Sequence, residues 1–438
     1  MPKLEVRLVL AVALLAVAIR AEEPPPTAEP AAPGATAASA AAATPVPSFD
    51  PVVATRSYLD RMTPEKRARS DAYFEGGYWL ELWGLLYGLG VAWLLLGGGR
   101  SRRLREWTAR LARRRPLANW LFAAVYVVLT TLLTFPLTVY QGFFREHQYD
   151  LATQSFPEWL RDQAVGLGVG LVLFPLLLVA LYGVFRKAPH TWWLWGGAIS
   201  LVFLVFVILI APVYIDPLFN KYEPLADQRV KGEILSLARA SGLETDDVWQ
   251  FDASRQTTRV SANVSGFLGT MRVRLNDNLL NRCTLPEIKA VMGHEIGHYV
   301  LNHVYESIVF FGVVLLAGFA FLSWGFEWAR RRWGASWGIE GIVDVAGLPL
   351  LAAVLAVFFF LLTPIFNTYI RVNEAEADLY GLHAAREPDG FAEVALKLGE
   401  YRKLEPGPFE EWFFFDHPSG RTRIAMAMRW KAEELAGN

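Results

Sequence analysis

The chain of 438 residues holds a single cysteine, Cys283, so no disulfide can form within it. A chain this poor in cysteine is at home on either side of a membrane, and the count does not assign a compartment. Net charge is also missing. Lys and Arg number 42 against 43 Asp and Glu, which leaves no basic footprint for a nucleic-acid partner. Aromatic residues are absent from 22–48, "EEPPPTAEPAAPGATAASAAAATPVPS". Such Pro/Ala sequence buries too little apolar surface to offset chain entropy, and a disordered tether is expected there. Apolar residues, by contrast, make up 53% of the chain and the mean hydropathy is +0.26, which points to a membrane before any soluble fold.

Residues 1–21 carry Lys3 and Arg7 ahead of an apolar stretch, the pattern of a signal peptide with Ala21 at its edge or of an uncleaved anchor. The tether and a pre-membrane segment then fill 22–77. Six later runs are long enough to cross a bilayer as helices, near 79–98, 117–138, 165–185, 191–214, 305–325 and 342–366. Pro136, Pro175, Pro349 and Pro364 interrupt four of them, and Trp192, Trp193 and Trp195 open one as an interfacial belt. This divides the chain into four spans in 78–216, a polar segment 217–304, two spans in 305–366 and a polar segment 367–438. The loop 100–116 has eight arginines and one glutamate, whereas 139–164 has two arginines and four acidic residues. The positive-inside rule therefore puts 100–116 in the cytoplasm and both polar segments outside. The expected setting is a multi-pass protein of a bacterial inner membrane with its catalytic side extracytoplasmic.

Segment 217–304 has the pattern of a small α+β unit. A helix is expected over 227–243, strands over 247–253, 259–265 and 271–277, and a turn at "GFLG". Thr284, Pro286 and Glu287 then start a helix expected to run through "VMGHEIGHYVLNH" (291–303). That stretch holds three of the seven histidines. His294 and His298, four residues apart, project from one helix face and can grip one ion, with Glu295 beside them to reach a water. This is H-E-x-x-H, the zinc pattern of metallopeptidases. Helices whose histidines merely cap or hydrogen-bond can match it too. On an unbroken helix His303 lies roughly 140° from His298, which makes it a residue of the outer shell or the surface. A third ligand is expected from "NEAEADLYG" (373–381), where Glu374 and Asp378 share a face and Glu376 points elsewhere. One carboxylate can ligate while the other orients a histidine.

"HEIGH", two intervening spans, "NEAEAD" and a later "HPSGRTRI" together resemble the membrane-bound zinc metallopeptidases of family M48, nearest the Ste24-type CAAX prenyl proteases. The resemblance covers most of the chain from about residue 50. It implies a mainly α fold: a polytopic helical barrel in the membrane that encloses a chamber, closed by a small α+β zincin-type domain. It places one Zn2+ per chain on His294, His298 and Glu374, the general base on Glu295 and an outer aspartate on Asp378. It also places an oxyanion-steadying histidine on His417 and a substrate arginine on Arg423. The family's substrate strand carries an Asn-Ala-Tyr type sequence, where this chain has "SANVSGF" with Ser261 at the Asn position and Asn263 at the Tyr position. The expected activity is a zinc-dependent endopeptidase acting on peptides or membrane-protein tails, as a monomer in a lipid bilayer. The competing expectation is a transporter or chaperone whose zinc is structural.

Overall fold

The computed structural model describes residues 49–265 and 272–437. The signal-like 1–21, the Pro/Ala stretch 22–48 and the turn expected at 266–269 lie outside them. Asp50 caps helix α1 (Pro51–Leu59) by accepting from the amides of Val52 and Val53. Thr63 and Pro64 start α2 (Pro64–Leu96). Gly98 and Gly99 then take φ +59° and +69°, a left-handed turn that glycine adopts without strain, and fold the chain into the arginine-rich α3 (Arg100–Leu111). Helices α4 (Arg115–Val139), α5 (Phe156–Lys187) and α6 (Trp192–Ile210) follow. Pro136 and Pro175 are accommodated inside α4 and α5.

The first polar segment forms β1 (Tyr222–Pro224), α7 (Gln228–Ala240), β2 (Val248–Phe251), β3 (Ala262–Ser265), β4 (Arg272–Asn276) and α8 (Leu285–Val300). The chain returns through α9 (His303–Trp337), α10 (Leu348–Leu361) and α11 (Thr363–Ala385). It ends with α12 (Pro388–Leu398), α13 (Pro408–Phe414) and α14 (Gly420–Gly437).

Among the described residues five helices are long and apolar enough to cross a membrane, and the pair from Val345 through α11, bent by 53°, counts as a sixth when taken as one broken span. Each of the six runs expected from the sequence falls on one of them. The spans close a ring: α2 packs on α4, α4 on α5, α5 on α6, α6 on α9, α9 on α10, and α10 back on α2. Their most apolar windows are mostly unburied, with 0% buried in α6 and 11% in α5. Walls one helix thick, open on both faces, enclose an interior space. Its arginine-rich end is filled by a hydrophobic cluster that includes Phe122, Tyr182, Phe185, Phe326 and Val345. Ser101 donates to the carbonyl of Ala346, and Arg105 pairs with Asp344 at 2.7 Å, fastening α3 across that end.

At the other end sits the polar unit. Its sheet runs β1-β2-β4-β3, with β2 and β4 parallel and the outer pairs antiparallel, so β3 is an edge. Val248, Val273 and Leu275 from the sheet pack with Ile234 of α7 and Met292 and Ile296 of α8. A second cluster joins α12 and α14 to residues before the first span: Leu59 and Met62 bury against Phe391, Leu404, Ile424 and Met428. Arg61 pairs with Glu393, and Tyr58 donates to Asp389 at 2.9 Å. Residues 49–62 are thus a clasp on the C-terminal unit, and the chain is tied to it before it enters the ring.

Leu59→Ala removes a fully buried side chain from that cluster. It is expected to destabilise the polar unit by about 2–5 kcal/mol, seen as a lower Tm of the detergent-solubilised protein with helical content unchanged.

Candidate metal centre

Helix α8 starts with Thr284 and Glu287 in a reciprocal capping box. Glu287 is buried and also holds Lys397 of α12 at 2.7 Å, which pins the first turn. Two turns on, α8 crosses α11 backbone to backbone. A Cβ on Gly381 would meet His294 N at 2.7 Å, and one on Gly293 would meet the Gly381 carbonyl at 3.0 Å. Gly297 packs the same way on the Ala377 carbonyl. At 381 a Cβ would overlap the α8 backbone and at 293 and 297 it would press on α11, so the glycines bring one face of α11 within reach of the histidines.

His294 Nε2 and His298 Nε2 lie 3.1 Å apart. Glu374 presents Oε2 3.2 Å from the first and Oε1 3.4 Å from the second. Asp378, fully buried, accepts from His294 Nδ1 at 2.7 Å, which leaves the Nε2 lone pair of His294 facing Glu374. Arg423 of α14 donates to the same Asp378 oxygen. Arg423, expected at the substrate, is therefore committed to the support of the His294–Asp378 pair, although one side of it lines the cleft. His417 follows Asp416, which binds its Nδ1 at 2.8 Å, and its Nε2 reaches Glu374 Oε2 at 3.2 Å.

An unbroken helix through 303 does not form. α8 ends at Val300, Asn302 takes φ 62°, and α9 begins at His303. The left-handed residue turns His303 back, so its Nδ1 lies 2.8 Å from His298 Nδ1 rather than far around the helix. His303 Nε2 meets Glu376 at 3.2 Å. With His298 Nε2 facing the ligand cluster, its Nδ1–H donates to His303, whose Nε2–H donates to Glu376. Each histidine of the H-E-x-x-H pair thus has its tautomer set by a buried partner, Asp378 for one and His303 for the other. The sequence carries one signal of the break: asparagine enters left-handed backbone more readily than other side chains.

His294, His298 and Glu374 offer donor atoms within 4.8 Å of one another. Among the described residues the buried Glu374 Oε2 has no partner of hydrogen-bond geometry, although His294 Nε2 and His417 Nε2 each lie 3.2 Å from it. Burial disfavours charge on His294, yet Asp378 and Glu374 overcome it and hold the imidazole up at about 10. The pocket favours positive charge at this point, and two histidines with one carboxylate form the donor set of hydrolytic zinc. The residues fit the ion. Glu295 lines the adjoining cleft, where burial raises its carboxyl above the ordinary range while His294 and His298 pull the other way. The cleft is about 220 Å³ and reaches the residues leading into β3. Ser261 lines it, and its amide and carbonyl pair with Asn276. Asn263 sits one step along the strand, opposite Arg274, and does not line the cleft.

Two predictions follow from this crossing and this relay. Gly381→Ala is expected to separate α8 from α11 and abolish stoichiometric metal binding, read by elemental analysis of the purified protein. His303→Ala is expected to weaken metal binding about 10–100-fold, read by competition with a chromogenic chelator.

The model of peptidase family M48 matches residues 224–431, and that of the "CAAX prenyl protease N-terminal, five membrane helices" matches 52–221. The "Uncharacterized metalloprotease YhfN" of Bacillus subtilis is 30% identical over 368 residues, covering 84% of this chain and 86% of that one. CAAX prenyl protease 1 of Saccharomyces cerevisiae is 32% identical over 191 residues, 43% of this chain and 42% of its own. The crystal structure of S. mikatae Ste24p superimposes with a TM-score of 0.68 at 20% identity, covering 86% of this chain and 94% of that one, and so shares the fold. The ring of spans, the histidine–glutamate cluster and the length of the match converge on one assignment: the chain belongs to peptidase family M48 and is a multi-pass membrane metallopeptidase.

Proposed function

We propose that the chain is a zinc-dependent endopeptidase that cuts peptides or membrane-protein segments where the chamber meets the polar unit. His294, His298 and Glu374 would hold one ion per chain. When bound, zinc supplies Lewis acidity, making a water more acidic and the scissile carbonyl more electrophilic. Glu295 takes the proton of the attacking water and passes it to the departing amine. His417, its Nδ1 occupied by Asp416 and its Nε2 3.2 Å from Glu374 Oε2 on the cleft wall, donates Nε2–H to the developing oxyanion when substrate enters. Asp378, with Arg423 behind it, and His303, with Glu376 behind it, hold the two imidazoles in place.

The observation that carries this reading is the carboxylate of Glu295, without a hydrogen-bond or ion-pair partner among the described residues, on the wall of the same cleft as His294 and Glu374. A structural zinc would have no use for it. Residues 260–262 lead the edge strand β3 along the cleft, so a substrate can add to the sheet as a further strand, with Ser261 beside it. The ring closes with spans of one chain, which supports a monomer. The arginines of α3 lie at the end of the ring away from the polar unit, which supports an extracytoplasmic site in a bacterial inner membrane. Exported peptides or misfolded membrane proteins fit that location. A relative named for prenyl substrates does not by itself extend them to this chain.

Glu295→Gln is expected to retain one zinc per chain yet lose about 10²–10⁴-fold in kcat on a quenched fluorescent peptide. A chelator is expected to silence the wild type, and added zinc to restore it. A Glu295→Gln protein that binds zinc and cleaves like the wild type would overturn the mechanism.

A further inference from the structure

We propose that Arg402 is a carboxylate-binding subsite of the cleft, selecting substrates that bring a free C-terminus or an acidic side chain to it. The inference rests on the peptidase reading above and names what that site selects.

The cleft is apolar along one wall, where Val291, Phe391, Val394 and Leu398 face it, and cationic at two points, Arg402 and Arg423. Arg423 is bound to Asp378. Lys403, the next residue after Arg402, is spent on Glu75 at 2.6 Å and Glu410 at 2.8 Å. Arg402 is half-buried as a residue, and among the described residues its guanidinium has neither a hydrogen bond nor an ion pair. Its backbone is fixed, since Arg402 N donates to the Leu398 carbonyl at 3.0 Å. The nearby carboxylate of Asp416 is engaged by His417. Arg402 lies within that carboxylate's electrostatic reach and forms no ion pair with it.

A partly desolvated guanidinium beside an apolar wall is unfavourable until a counter-ion arrives. Its planar fork of donors matches a carboxylate in two parallel bonds. Arg402 also lines the smaller cavity next to the cleft, together with Asp416 and His417. A carboxylate seated there lies on the His417 side of the cleft. A substrate without one leaves the guanidinium unpaired, which is the stronger basis for rejection. Both sources of the carboxylate share this chemistry and differ in the peptides that reveal them.

The test uses full-length, detergent-solubilised protein and three labelled peptides of one sequence: free C-terminus, C-terminal amide, and amide with one glutamate near the centre. Binding to the Glu295→Gln protein is read by fluorescence anisotropy, and cleavage by the wild type is read as kcat/KM. A carboxylate-bearing peptide is expected to bind and be cut about 10–100-fold better than the plain amide. Arg402→Gln is expected to erase the difference, Arg402→Lys to keep part of it, and zinc content and Tm to stay unchanged. A preference confined to the free acid assigns the C-terminus, and one confined to the glutamate peptide assigns a side chain. Equal affinity for all three peptides, or an equal loss on all three in Arg402→Gln, overturns the proposal. If the peptides bind with Arg402-dependent ranking but none is cut, the peptidase reading fails and the subsite stands.

Discussion

Helices α8 and α11 can share one metal only because their backbones cross where neither carries a side chain. Gly293, Gly297 and Gly381 form the contact, and the Cβ of any other residue at 381 would overlap the backbone of His294. The rest of the centre depends on this approach. It places Asp378 against His294 Nδ1 and Glu374 against both Nε2 atoms, from a helix two membrane crossings away. α8 is tied at its start through Glu287 to Lys397, and α11 begins at a 53° bend that redirects it out of the ring.

Around that crossing the electrostatics are divided by depth. Asp378 is buried and needs Arg423 to remain a carboxylate: burial opposes its charge, and the guanidinium, with His294, holds its pKa below the usual range. His303 is buried as well, but it connects His298 to Glu376, which is partly exposed. One histidine of the H-E-x-x-H pair is therefore backed by a buried ion pair and the other by His303, which leads to the partly exposed carboxylate of Glu376. The cleft carries a third arrangement. Glu295, His417 and Arg402 line it, and among the described residues the Arg402 guanidinium has no hydrogen bond or ion pair.

The ring and the polar unit are one mechanical object. Residues 49–62 bind the C-terminal helices before the first span begins, through Leu59, Met62 and the Arg61–Glu393 pair. The six spans close on themselves, and their far end is filled by aromatic residues and fastened by α3.

Hydropathy alone located the crossings, because a span must be about twenty apolar residues long whatever its neighbours are. The histidine spacing likewise identified the metal chemistry, since residues four apart share a helix face by geometry. Thr284 with Glu287 announced the start of α8 for the same local reason. Tertiary structure decided the remainder. Asn302 breaks the helix and turns His303 onto His298, which periodicity cannot express because it presumes an unbroken helix. Arg423 serves Asp378 whereas Arg402 has no carboxylate partner among the described residues, and nothing in their local sequence separates them. Which cation finds a carboxylate depends on elements brought together from distant parts of the chain, and that pairing is fixed only when α11, α12 and α14 pack.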